Sequence, residues 1–255
     1  LNGTTYYYAV KASNSTVDSA ASAVVSAAPS LTSTVSAMPA PTPSAPAAIT
    51  PWTCPSASTI KTGMGAIKDL GITHLELMPV YDFGSVNETN PTFNWGYDPQ
   101  NPNVPEGSYS SDATNPSARI NELKQGVQAI HTNGMRVVMD VIYNHVMNPN
   151  TFSQESLVPG YFFRTDALGN LTNQSGCGND VASERPMVRK YIVDSVVYWA
   201  KQYHIDGFRF DIMSLVDKVT MSQVMTELKK VDPSIIVFGE GWSYDEVKAQ
   251  LPYSM

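Results

Sequence analysis

From Ile60 onward the apolar positions follow two alternating rhythms. Ile120, Leu123, Val127 and Ile130 recur every three or four residues, which predicts a helix closed by Gly134 and opened by Ser117 as its cap. Val188, Ile192, Val196 and Trp199 mark a second helix of the same kind, and a third runs through Met221–Lys230. Thr59–Leu70 reads as a further helix, ended by Gly71, and Tyr244–Leu251 as the start of another. Between the helices lie short apolar runs: Ile72–Val80, Arg136–Ile142, Gly207–Asp211 and Ile235–Glu240. Strands alternating with helices predict βαβ units and a parallel sheet, hence an α/β fold. Two long polar stretches, 81–115 and 144–180, are expected as loops.

The first 58 residues follow neither rhythm. Residues 1–13 contain Thr5-Tyr6-Tyr7-Tyr8-Ala9-Val10-Lys11-Ala12, a β-forming run after an Asn2-Gly3 turn. Residues 14–58 are mostly Ala, Ser, Thr, Val and Pro, with Pro39, Pro41, Pro43 and Pro46 close together. That is linker chemistry, with little to bury. Residues 59–255 form the remaining, α/β part.

Composition narrows the function. A net charge of −7 with no basic cluster argues against nucleic acid and against an anionic membrane surface. No apolar run is long enough to span a membrane. Cys54 and Cys177 make neither a zinc site nor a disulfide scaffold. No signal peptide is present and the first residue is Leu1, so the chain is expected to be processed, or part of a longer one. No G-x-G-x-x-G follows a strand, which disfavours dinucleotide chemistry. A neutral, hydroxyl-rich partner such as a polysaccharide fits this balance.

The candidate chemistry sits at strand ends. In Asp206-Gly207-Phe208-Arg209-Phe210-Asp211 the strand period of two turns Arg209 and Asp211 to one side. A guanidinium beside a buried carboxylate keeps it ionised, as a nucleophile requires. The next strand ends in Glu240, followed by Gly241-Trp242. Two carboxylates at successive strand ends suit glycoside cleavage, one attacking the anomeric carbon and the other protonating the leaving oxygen. A structural Arg–Asp pair is the alternative for the first of them.

These two motifs, with Asp140-Val141-Ile142-Tyr143-Asn144-His145 upstream, resemble the α-amylase superfamily of glycoside hydrolases. Asn94-Trp95-Gly96-Tyr97-Asp98-Pro99 and Gly176-Cys177-Gly178-Asn179-Asp180 narrow the resemblance to type I pullulanases, debranching enzymes acting on α-1,6-glucosidic links. The resemblance covers roughly 60–255. It implies a (β/α)8 (TIM) barrel, here partial, with four strands where the barrel has eight. It makes Asp211 the nucleophile, Glu240 the general acid/base and Arg209 the partner of Asp211. It gives His145 a hydrogen bond to the sugar, Tyr97 the role of aromatic platform, and Asp140 that of structural carboxylate. Trp95 would pack beneath Tyr97, and Trp242 and Met213 would line the cleft. The family's third catalytic carboxylate belongs to a His-Asp motif expected beyond Met255.

No cofactor is required by this chemistry. Asn179, Asp180 and Glu184 are oxygen-rich and suit calcium, which some members bind; a solvated loop running into a helix start is the alternative. Residues 1–13 resemble the end of a fibronectin type III module, which suggests a secreted or cell-surface bacterial protein. Three other readings stay open: a non-catalytic α-glucan-binding piece, an α-amylase-type α-1,4 hydrolase, and an extracellular spacer.

Overall fold

A computed structural model describes residues 62–242, together with the backbone of four short strands nearer the N-terminus. The chain divides into two compact units, Leu1–Ile72 and Thr73–Met255. The predicted helix Tyr244–Leu251 lies outside the described residues.

In the first unit β1 (Tyr6–Tyr8) pairs antiparallel with β4 (Val25–Ala27), and β2 (Ser13–Asn14) with β3 (Val17–Asp18). Strand pairing therefore runs past Ser13 into the stretch expected as linker. Helix α1 is shorter than its predicted span, covering Met64–Asp69.

The second unit is built on a four-stranded parallel sheet in the order β10-β9-β8-β5. Its strands are β5 (His74–Leu77), β8 (Arg136–Val141), β9 (Gly207–Phe210) and β10 (Ile236–Gly239), the apolar runs anticipated above, trimmed at their ends. The middle of the sheet is close-packed. Glycine is required at 207, since a Cβ there would lie 2.7 Å from Ile236 Cγ1 and 3.0 Å from Val138 Cγ2. A side chain would push its neighbouring strands apart.

Helices α2 (Pro116–Thr132), α4 (Pro186–Tyr203) and α5 (Lys218–Val231) accompany the sheet. Asn115, not Ser117, caps α2: its Oδ1 accepts from Ser117 N at 3.0 Å, with Pro116 at the first helical position. Asp217 caps α5 through Thr220 N. The core holds Val188, Ile192, Val196 and Trp199 of α4 with Val224 and Leu228 of α5, all almost fully buried. Each such side chain contributes about 1.5–3 kcal/mol on leaving water. Trp199 also satisfies its indole N–H on the Pro102 carbonyl at 2.8 Å.

Neither long polar stretch is a plain loop. The first contains β6 (Tyr81–Phe83) paired antiparallel with β7 (Pro99–Pro105). Three prolines fit β7 because the two-stranded pair is irregular and asks few of its amides to donate. Side chains take over part of the work: Glu106 accepts from Phe83 N (3.0 Å) and Ser108 N (2.7 Å). Arg119 of α2 reaches back to Glu88 with both terminal nitrogens and to the carbonyls of Pro105 and Ala113. The second stretch holds α3 (Ser153–Leu157) and a bridge at Thr165↔Leu171; Phe163 bridges to Val181 just after it, and Phe152, Phe162 and Phe163 form a ring cluster with Tyr191 of α4.

Candidate active site

Arg209 lies at the centre of the site. It sits one residue before the end of β9, in register with Asp140 of β8 on one side and Phe238 of β10 on the other. Nη1 donates to Asp140 Oδ1 (2.9 Å) and Oδ2 (3.0 Å) and to Asp211 Oδ1 (3.0 Å). Nη2 lies 3.3 Å from Glu240 Oε2. One guanidinium thus joins carboxylates from the C-terminal ends of three adjacent strands. Its own pKa is raised by Asp140, Tyr97 and Asp211 against the opposing effect of burial.

The ladder fixes where these carboxylates emerge. Asp211 N donates to Val141 O (2.9 Å) and Glu240 N to Phe210 O (3.0 Å), so pairing continues one residue past each strand. Gly239 makes that approach possible, because a Cβ there would stand 2.5 Å from Phe210 O and 2.7 Å from Met213 Cβ. Ile212, directly after Asp211, adopts the left-handed conformation at φ 39°, an uncommon state for a β-branched residue. Its amide donates to Glu240 Oε2 at 3.3 Å, tying the turn after one carboxylate to the other.

Asp140 is almost fully buried, and burial pushes its carboxyl up to about 6 despite the opposing pull of Arg209 and Tyr97. Tyr97 is half-buried and donates its hydroxyl to Asp140 Oδ2 at 2.7 Å. Burial raises its phenol, and the charge of Asp140 adds to this. His145 is also buried, with Nδ1 2.5 Å from Asn144 Oδ1 and Nε2 2.9 Å from the Tyr97 carbonyl. Burial pushes its imidazole down. Asn144 completes the link by donating Nδ2 to Asp211 O (2.8 Å) and Oδ2 (3.0 Å).

Of the residues singled out in the sequence, Asp211, Glu240, Arg209, Tyr97, His145 and Asp140 therefore form one hydrogen-bonded group. Trp242 follows Glu240 closely and is largely exposed, and Met213 packs against Gly239. Trp95 does not lie beneath Tyr97: it is exposed, with its ring edge-on to Phe93 at 6.4 Å. Two further residues take part. Asn144 belongs to the Asp140–His145 motif, and its link to Asp211 is visible only in three dimensions. Glu76 of β5 feels Arg209 electrostatically, while burial raises its carboxyl; an acidic residue in the middle of an apolar run was its only signal.

The oxygens of Asn179, Asp180 and Glu184, the group singled out for calcium, are engaged by the protein itself. Asp180 accepts from the Thr172 hydroxyl, Gln174 N and Ser175 N, and Asn179 bonds both backbone groups of Val146. Glu184 pairs with Arg164 at 2.9 Å. These oxygens pin the loop to the protein. Asp82, Glu88 and Glu106 also converge, but Arg119 already supplies the positive charge there.

A parallel α/β sheet delivering paired, arginine-bridged carboxylates at its strand ends suits the two-carboxylate chemistry of glycoside cleavage. No protein-family model matches the chain. It is 45% identical to the pullulanase of Bacillus subtilis over 197 residues, 76% of this chain and 27% of that protein. A mutant pullulanase from Paenibacillus barengoltzii complexed with maltotetraose matches 72% of this chain and 29% of its own at a TM-score of 0.71, with 50% identity. The type I pullulanase of Bacillus subtilis complexed with maltose matches 74% of this chain and 27% of its own at 0.72, with 46% identity. The chain belongs with the type I pullulanases, and spans little more than a quarter of the length of these relatives.

Proposed function

We propose that this chain carries the nucleophile and the acid/base of a retaining α-1,6-glucosidase acting on pullulan, amylopectin or related α-glucans. The observation that carries this reading is the single Arg209 guanidinium shared by Asp140, Asp211 and Glu240. Asp211 attacks the anomeric carbon while Glu240 gives its proton to the leaving oxygen, and the glycosidic bond breaks as a glycosyl ester forms on Asp211. Glu240 then takes a proton from water, the water oxygen attacks the same carbon, and the ester is released with the original configuration. Arg209 donates to Asp211 Oδ1 and holds that carboxylate in place for the attack. Tyr97, held through Asp140, offers an aromatic face to the pyranose. Trp242, exposed beyond Glu240, and His145 complete the sugar contacts in this reading.

In the same reading residues 59–255 are part of a catalytic (β/α)8 barrel. Residues 14–58 join it to 1–13, the end of a fibronectin type III-like module. A second reading is suggested by the solved relatives complexed with maltotetraose and maltose: binding of α-glucan without turnover. Digestion of pullulan by the purified chain, beside an Asp211→Asn control, separates the two. Maltotriose of retained anomeric configuration from the unmutated chain alone supports hydrolysis. Binding to immobilised pullulan with no product refutes hydrolysis and supports the second reading. Release of maltose from linear amylose with pullulan untouched would move the activity to α-1,4 links.

A further inference from the structure

Both ring nitrogens of His145 face oxygen atoms, and both of those oxygens can only accept. Nε2 meets the backbone carbonyl of Tyr97. Nδ1 meets Asn144 Oδ1, and the Asn144 amide cannot be turned over to offer its NH2 instead. Its Nδ2 is already required by two acceptors, the main-chain carbonyl of Asp211 and that residue's Oδ2. The two contacts of His145 are therefore satisfied together only by a ring with a proton on each nitrogen. A neutral ring keeps one proton. With Asn144 locked by Asp211, the shorter contact, 2.5 Å to Asn144 Oδ1 against 2.9 Å to the Tyr97 carbonyl, keeps that proton on Nδ1, and Nε2 turns a lone pair on the Tyr97 carbonyl.

We propose that Asn144 is a positioning residue that fixes neutral His145 as the Nδ1–H tautomer, and that a second proton, at Nε2, is a latch. When present it ties the Tyr97 backbone to the site; when lost it releases that tie and leaves Nε2 as a free acceptor. The functional meaning rests on the glycosidase reading, in which Asp211 is the nucleophile and Tyr97 the platform; the proton arrangement itself does not.

The groups facing the ring set the direction. Burial disfavours the charged form and pushes the pKa below its ordinary value. The Tyr97 carbonyl and the carboxylates of Asp211, Asp180 and Asp98 pull the other way without overcoming it. The latch is thus closed on the acid side and open by neutral pH.

Ring-15N labelling of histidine reads this directly, since the chain has only 4 histidines and His145→Gln identifies the signals of interest. At neutral pH His145 is expected to show a protonated Nδ1 and a bare Nε2, the reverse of the preference of a free imidazole. On acidification Nε2 gains its proton, and the 13C shift of the Tyr97 carbonyl moves with the same midpoint, a transition absent from His145→Gln. In Asn144→Ala the neutral ring reverts to Nε2–H. If that variant does not fold, the unmutated chain still decides. An Nε2–H tautomer there at neutral pH overturns the role of Asn144. A Tyr97 carbonyl that stays still through the His145 titration overturns the latch. Neither readout needs turnover, so a chain that passes both and leaves pullulan intact refutes the glucosidase reading alone.

Discussion

Replacing Asp140 with Asn isolates the cost of burying a charge at the centre of this site. The Asp140 carboxyl stands at about 6 against an ordinary 3.8, with burial as the largest cause. The shift already includes the attraction of Arg209, so it measures the net penalty of the ionised form in place. At 1.36 kcal/mol per pH unit the gap corresponds to about 3 kcal/mol. The sign follows from linkage: between pH 3.8 and about 6 the folded protein holds a proton that the unfolded chain has lost. Stability from this group is therefore greatest in acid and falls as pH rises to about 6. Asn imitates the protonated carboxyl, keeping an acceptor for the Tyr97 hydroxyl and for Arg209. Asp140→Asn is expected to match the parent near pH 4 and to exceed it by up to about 3 kcal/mol above pH 7. Urea unfolding of both proteins across this range measures the difference, and contributions from all other groups cancel to first order. A difference that does not change with pH refutes the argument, as does a variant less stable at pH 8 than at pH 4 relative to the parent. The same substitution removes the charge that anchors Arg209, so glucan turnover is expected to fall while stability rises.

Three further outcomes follow from other contacts. Arg119→Met leaves part-buried Glu88 without its bidentate partner beside Asp82, whose carboxyl burial already pushes to about 6, and should cost about 1.5–3 kcal/mol in urea unfolding; a loss under about 0.5 kcal/mol would show that the carboxylates do not need it. Gly239→Ala forces a Cβ against Phe210 O, displacing the end of β10 and with it Glu240. A shift of about 1 Å costs on the order of 100-fold in turnover, and unchanged activity in a substrate assay would contradict the crowding. Trp199→Phe strands the buried Pro102 carbonyl and should lower stability by at least about 2 kcal/mol, read as a lower urea midpoint at unchanged slope.

What was legible in the sequence was whatever depends on local period. Each of the four parallel strands is an apolar run short enough to be a strand and flanked by helices of 3.6 period, so the α/β character could be read directly. The pairing of Arg209 with Asp211 was legible for the same reason, being two residues apart on one strand. The β6–β7 pair was hidden because Pro99, Pro102 and Pro105 break the usual strand signature, and because side chains distant in sequence, such as Glu106 reaching Phe83, hold it in place. Trp95 was misplaced because nothing local says that it turns to Phe93 rather than under Tyr97.

The site itself is a consequence of register. Asp140 meets Arg209 only because β8 and β9 pair Val138 with Gly207, and Glu240 reaches the same guanidinium only because β10 pairs Gly239 with Phe210. A slip of one residue in either ladder would turn the carboxylate to the opposite face of the sheet. Glycines at 207 and 239 remove the Cβ atoms that would oppose this register, one between the strands and one at their exit. The charge distribution then follows. One guanidinium is divided among three carboxylates, and burial raises the carboxyl of Asp140, the most buried of them. Asp211 has further partners, since Asn144 donates to it from the loop after β8. A carboxylate supported from two sides suits the nucleophile's role proposed for Asp211, and Asp140, held by Arg209 and the Tyr97 hydroxyl, suits that of anchor. The different surroundings of three chemically similar side chains are thus set by which strand each one ends and by which neighbours the register brings to it.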